Sequence, residues 1–192
     1  MFETAVYTDV ADHEAADGQG GFAFQAQSPG FTGADREMAK TWMLHQVVAG
    51  TADDAETFAI RPEYGRYLLS RGRSLGATTS GRGGNQVTQV LVTGDSSDFG
   101  DLVPAQLFWA DVWDLSKQAT GTMTARPAPV VPSIGHDPLG LLEWVCADAR
   151  RRAFIPRVLE AFERRVVHGD RSRIVLVHHD LEEVVRWMAV AC

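Results

Sequence analysis

Segments with a two-residue hydrophobic period crowd the front of this chain, and segments with a helical period crowd its back. That order constrains the fold more than any other feature. A parallel, doubly wound sheet needs strands and helices in alternation, so strands followed by helices exclude it. The expected class is α+β: a mainly antiparallel sheet from residues 2–93, packed against one early helix and the helices of the C-terminal part.

The strand signals are specific. Residues 2–8 alternate and are rich in β-formers, and residues 21–27 place Phe22, Phe24 and Ala26 on one face and Ala23, Gln25 and Gln27 on the other. Residues 56–62 and 66–73 read as a hairpin turned by Glu63, Tyr64 and Gly65, and residues 87–92 as a further strand between two glycine-containing turns. Between strands, residues 9–20 are acidic and read as a mobile loop. Residues 32–48 have a helical period, with Thr32 as cap, Asp35 three residues on, Met38, Trp42 and His45 along one face, and Gly50 as stop. Residues 102–115 are apolar and aromatic, and read as a short helix followed by irregular packing.

Residues 119–136 have no period and hold several prolines, as a connection between two parts would. Beyond them, Asp137 and Pro138 open a helix with Leu141, Leu142, Val145 and Cys146 as its apolar stripe. A second helix is expected from about Arg152, or later because of Pro156, to Val167, burying Phe154, Val158, Leu159 and Phe162, with Gly169 beyond its end. Residues 173–178 read as a short strand that joins the sheet. Asp180 then caps a last helix carrying Val184, Val185 and Met188. The chain stops at Cys192 in helical phase, as a domain of a longer protein would. The expected organisation is one N-terminal domain over 1–192, strand-rich in 1–118 and helix-rich in 137–192.

Charge and cysteine content narrow the function. The formal net charge is -7, which argues against a nucleic-acid binder. It is uneven: residues 1–120 hold 16 acidic and 8 basic side chains, a net of -8, and residues 121–192 hold 9 and 10, a net of +1. Two cysteines build neither a disulfide framework nor a multi-cysteine zinc site. No apolar run approaches the ~20 residues that span a bilayer, and no signal-peptide pattern opens the chain. A cytoplasmic protein without a membrane segment, metal or cofactor is expected. Of the 18 basic residues, only Lys40 and Lys117 are lysine. A GC-rich genome accounts for that, and so does selection for the two-pronged anion binding of Arg.

The densest polar motif runs from Arg71 to Asn85, with five glycines, three arginines and several hydroxyls. Glycines let backbone amides approach an anion and arginines supply charge-assisted forks. Arg71, Arg73, Ser80, Arg82, Gly84 and Asn85 are therefore candidate binding residues for a small anionic ligand, a nucleotide or a partner's carboxylates. The alternative is a glycine-rich connection between two strands. The segment is not a P-loop, because it lacks GxxxxGK[ST]. Trp109 and Trp113 are candidate anchors for a protein partner, or core. His178 and His179 with Asp180 form a lesser candidate for hydrolysis, against which neighbouring strand residues face opposite ways and Asp180 serves as a cap. Cys146 falls in an apolar stripe and reads as buried and inert. Arg150, Arg151 and Arg152 read as a solvated basic step.

The elements FAFQAQSPG, LLSRGRSLG, SGRGGNQVTQVLV, DFGDLVPAQLFWADVW and IVLVHHDLEEVVRWMAVA occur in that order. This set resembles the N-terminal domain of the bacterial GTPase-associated protein 1 family, most specifically at Arg82, Gly83, Gly84 and Asn85, where the family has a GRxGN element before an apolar strand. Gly83 stands where the family commonly has proline. The resemblance implies a non-catalytic adaptor or regulator at the front of a multi-domain protein, encoded beside a GTPase in a bacterial conflict or defence system. It supplies no catalytic residues. A GTPase and further domains of the same polypeptide are its implied partners.

Overall fold

The computed structural model describes residues 1–14, 20–42, 56–77, 83–116, 118, 120–131, 135–167, 178 and 180–191. The side chains of residues 83, 162, 165 and 166 are also outside the description. The chain divides into two compact units. The first holds residues 1–101 and 112–130, and the second holds residues 102–111 and 131–192.

The first unit is a six-stranded, mostly antiparallel sheet. Its strands are β1 (Glu3–Val10), β2 (Gly21–Gln27), β3 (Glu56–Glu63), β4 (Arg66–Ala77), β5 (Gly83–Thr93) and β6 (Gly121–Thr122), in the spatial order β3-β4-β5-β1-β2-β6. Among the described strands only the two-residue β6 runs parallel to its neighbour, β2. The β3–β4 turn forms where the sequence signals it: Tyr64 and Gly65 both have positive φ, 49° and 76°, the geometry that matches the twist of a two-residue hairpin. The strand expected over 87–92 is longer, because the glycine-rich segment itself pairs with β4 as far as Gly83.

Helix α1 (Gly33–Trp42) lies on one face of the sheet. Phe31 and Ala39 pack there against Ala5, Leu68, Val90 and Val92, with Phe24, Met38 and Ala59 around them. The start of α1 is a reciprocal cap: the Asp35 amide donates to Thr32 Oγ1 at 3.2 Å, and the Thr32 amide to Asp35 Oδ2 at 2.9 Å. Asp35 is fully buried, and Arg66 on β4 grips it, Nε to Oδ1 at 2.9 Å and Nη2 to Oδ2 at 3.2 Å. Trp42 lies under the Arg61 guanidinium, 4.1 Å from its ring centre. The expected continuation of this helix through His45 to Val48 falls outside the described residues.

On the other face Val6, Leu69, Val87 and Leu91 are buried. Phe99 meets Phe2 and Tyr67 edge-on, and Trp113 meets Phe58. Gln89, fully buried, donates to Thr4 Oγ1 at 3.0 Å and accepts from the Asp114 amide at 2.6 Å. The proline-rich stretch is tied in as well: Phe2 and Arg126 exchange two backbone hydrogen bonds.

The second unit holds α2 (Pro138–Ala147), α3 (Ala149–Val167), α4 (Leu181–Ala191) and a 3-10 helix (Pro104–Trp109) that packs against α4. Asp137 caps α2, its Oδ1 accepting from the Gly140 amide at 2.8 Å, and Asp180 caps α4 through the Glu182 amide at 2.9 Å. Three expectations need correction. Helix α3 starts at Ala149, because the Asp148 carboxylate accepts from the Arg150 and Arg151 amides and fixes the first turn there. Pro156 then sits inside the helix, where it removes one main-chain donor. Leu142, Leu159 and Cys146 are exposed; α2 turns Leu141 and Val145 inward instead. Arg151 is not a solvated step: it stacks on Trp144 at 4.2 Å, donates to its carbonyl and pairs with Glu183 at 2.6 Å. The strand expected over 173–178 lies outside the described residues apart from His178. No described helix is long and apolar enough to cross a membrane.

Candidate functional site

The described part of the arginine–glycine motif lies on two paired strands, β4 and β5. Arg71 and Arg73 project from the same face of β4, two residues apart, across from Glu56 on β3. Arg71 Nη2 donates to Glu56 Oε2 at 2.9 Å, so its charge is already matched. Arg73, directly opposite Glu56 in register, is exposed. Gly72 between them faces the other way, into a space too small for a methyl group: a Cβ there would lie 2.8 Å from both Thr57 Oγ1 and Thr88 Oγ1.

Gly84 and Asn85 shape the hairpin. Gly76 and Gly84 have φ of 78° and 92°, and the register shifts on both sides of Gly76. Asn85 is buried, and its Nδ2 donates to the Ala77 carbonyl at 2.9 Å across the hairpin. Ser80 and Arg82 lie outside the described residues. The two tryptophans belong to different units. Trp113 packs on Phe58 in the first, and Trp109 stacks on His136 in the second, with ring centres 4.4 Å apart and 14° between planes.

His178 accepts a hydrogen bond on Nδ1 from the Asp180 amide at 3.1 Å, and Asp180 caps α4. His179 is outside the described residues. Among those described, no three His, Cys, Asp or Glu side chains are gathered as a metal would need.

The first unit also contains a cleft of about 550 Å³ that the motif reading passed over. It lies between α1, β2 and the short β6. Tyr7, Phe22 and Phe24 contribute aromatic rings, and Arg36 and Lys40 contribute positive charge from consecutive turns of α1. Tyr7 and Phe22 stack with centres 6.0 Å apart, and Tyr7 meets Phe24 edge-on at 5.2 Å. Burial pushes the Tyr7 phenol above its ordinary pKa, so it stays a neutral hydroxyl at physiological pH. Arg36 Nη2 donates to Gln27 Oε1 at 2.7 Å, and its guanidinium lies 5.9 Å from the Phe24 ring centre.

The cleft depends on a bulge. β1 advances from Val6 to Tyr7 while β2 advances from Ala26 to Phe24, so Gln25 is the extra residue. The strict alternation expected for β2 is broken there, and Gln27 joins Phe24 on the side of α1. The available sequence signals were Arg36 and Lys40 at i,i+4 and the aromatic pair two residues apart, but a bulge leaves no mark in hydrophobic period.

No curated protein and no solved structure matches the chain. The family model for GTPase-associated protein 1, N-terminal domain type 2, matches residues 1–130. That match takes in the whole sheet, α1, the arginine–glycine hairpin and the aromatic cleft. By that match, which spans well over half of its length, the chain belongs to the GTPase-associated protein 1 family, as an N-terminal domain of type 2.

Proposed function

We propose that this domain is a non-catalytic adaptor that docks on a GTPase through the outer face of α2, within a bacterial conflict or defence system. One observation carries the docking face. α2 buries Leu141 and Val145, yet Leu139 and Leu142 are 65 % and 58 % exposed, and Cys146 is exposed beside them. At 100° per residue these three fall within one narrow stripe. With Glu143 as its one charged residue, α2 is apolar nearly all round, the pattern of a helix covered on both sides. The family's description as GTPase-associated, carried by residues 1–130 of the same chain, supports a GTPase as the partner, and α2, beyond the matched residues, supplies the apolar face.

The test is a pull-down with the 192-residue chain as bait and, as prey, any GTPase found encoded beside it, in its GDP and GTP forms. Leu139→Glu and Leu142→Glu together are expected to abolish capture without lowering the melting temperature, because both side chains are already in water. Wild-type chain that captures neither form overturns the proposal, as does capture unaffected by the double variant.

A second reading makes the 71–85 segment a sensor for a small anion or nucleotide. Its support is Arg73, whose charge has no carboxylate partner among the described residues because Arg71 occupies Glu56. Arg73→Ala and Arg82→Ala variants titrated with inorganic phosphate and nucleoside phosphates test it. Binding unchanged in both removes it.

A further inference from the structure

We propose that the cleft between α1 and β2 is a binding site for a nucleoside monophosphate, its base laid against the open face of Phe22 and its phosphate held by Arg36 and Lys40. The argument starts from charge. This chain carries 25 acidic side chains against 18 basic ones. The cleft nevertheless has two cations in its wall and, among the described residues, no carboxylate. Arg36 is half-buried and has no carboxylate partner among the described residues. Its one hydrogen bond to a side chain, to the neutral Gln27, fixes the guanidinium in place without neutralising it. Lys40 pairs with Glu37 at 3.3 Å, but both side chains are in water and that pairing yields readily to a stronger anion. A half-buried cation without a counter-ion is costly to keep, and an anion from outside removes the cost.

The rest of the cleft decides which anion. Inorganic phosphate alone would leave the rings unused. Phe22 is 38 % exposed, a large apolar surface left open beside the cations, and Tyr7 stacked behind it holds its plane. Exposed aromatic faces are sequence-tolerant platforms for nucleobases. Thr122, exposed at the edge of the cleft, adds a hydroxyl group of the kind that bonds a ribose or a base edge. The volume, about 550 Å³, sits inside the ~300–1,000 Å³ of small-molecule sites. An Arg fork beside a Lys point charge suits the dianion of a phosphate monoester.

The proposal is independent of the α2 docking face and of Arg73. The 192-residue chain is titrated calorimetrically with the four ribonucleoside 5′-monophosphates, with the matching nucleosides and with inorganic phosphate. At least one monophosphate is expected to bind more tightly than both its nucleoside and phosphate. Phe22→Ala and Lys40→Ala, which touch little of the core, are each expected to weaken it by about tenfold, the usual scale of one stacking or charge-assisted contact. Val131→Ser, at an exposed side chain of the second unit, is expected to leave it unchanged. Unchanged melting temperatures separate lost binding from lost folding. Binding of inorganic phosphate as tight as any nucleotide overturns the proposal in favour of a bare anion site. No binding at all overturns it outright. Nucleotide binding lost in Arg73→Ala but kept in Phe22→Ala moves the site to the hairpin.

Discussion

At the scale of single residues, the buried carboxylate of Asp35 does the most. It closes the first turn of α1 on Thr32, accepts a hydrogen bond from Arg66 Nη2 and pairs with that guanidinium's charge, so one side chain fixes the helix start and ties it to the centre of the sheet. Removing one partner of such a pair leaves the other uncompensated. Asp35→Ala is expected to cost roughly 2–4 kcal/mol of unfolding free energy, read by urea denaturation. A loss below about 1 kcal/mol would mean that Arg66, one third exposed, resolvates freely. Gly72 is the second such position. Its role is space, not positive φ, and Gly72→Ala is expected to cost about 1–3 kcal/mol by overpacking. Thr88→Ala in the same chain removes one of the two clashing oxygens and is expected to recover part of that loss. Both positions were marked in the sequence, Asp35 by its spacing from Thr32 and Gly72 as one of five glycines. The Arg66 grip and the threonine walls were not, because each joins residues far apart in the chain.

At the scale of elements, local chemistry was the readable part. The two-residue hairpin turn, the Thr32 cap and the Asp137–Pro138 start of α2 all follow from short-range rules, and all form where their residues stand. What periodicity missed were departures from period: the bulge at Gln25, and α3 running through Pro156 because Asp148 starts it early. Asp148 also carries a pH signature. The Arg151 amide, then the Arg150 amide, hold its carboxyl below the ordinary aspartate pKa; hydrogen bonds from Ser116 act likewise on Asp114, and from Ser97 on Asp95. A folded-state pKa below the unfolded one means that the unfolded chain binds more protons as acid is added. The stability from these groups is complete above the unfolded value, about 3.9, and is lost as pH falls through the lower folded values. Asp148→Asn keeps a capping side chain but removes the charge. Its melting temperature is expected to lie below wild type at pH 7, with the gap closing below about pH 4. A gap that stays constant with pH would assign the cap no electrostatic part.

At the scale of the whole molecule, the family match and the first compact unit both end at residue 130, yet the unit does not contain everything before that point. Residues 102–111 belong to the second unit, where their 3-10 helix packs on α4. Leu107 is fully buried there and Phe108 nearly so, and Gln106, also buried, donates to the His136 carbonyl at 3.0 Å. The sequence places this apolar run between strand signals and a proline-rich stretch, so a cut at the end of the matched region looks safe; its partners arrive more than 25 residues later. A fragment of residues 1–130 is therefore expected to keep the sheet but to expose Leu107, Phe108 and Trp109, and exposed apolar surface of that kind drives association. The fragment should bind the dye ANS and elute as aggregates, whereas residues 1–192 should do neither. Leu107→Ser with Phe108→Ser in the fragment is expected to restore a monomer, since those side chains serve the second unit. The same pair in the full chain is expected to destabilise it by roughly 3 kcal/mol or more. A wild-type 1–130 fragment that stays monomeric and silent to the dye would mean that the segment finds cover within the first unit.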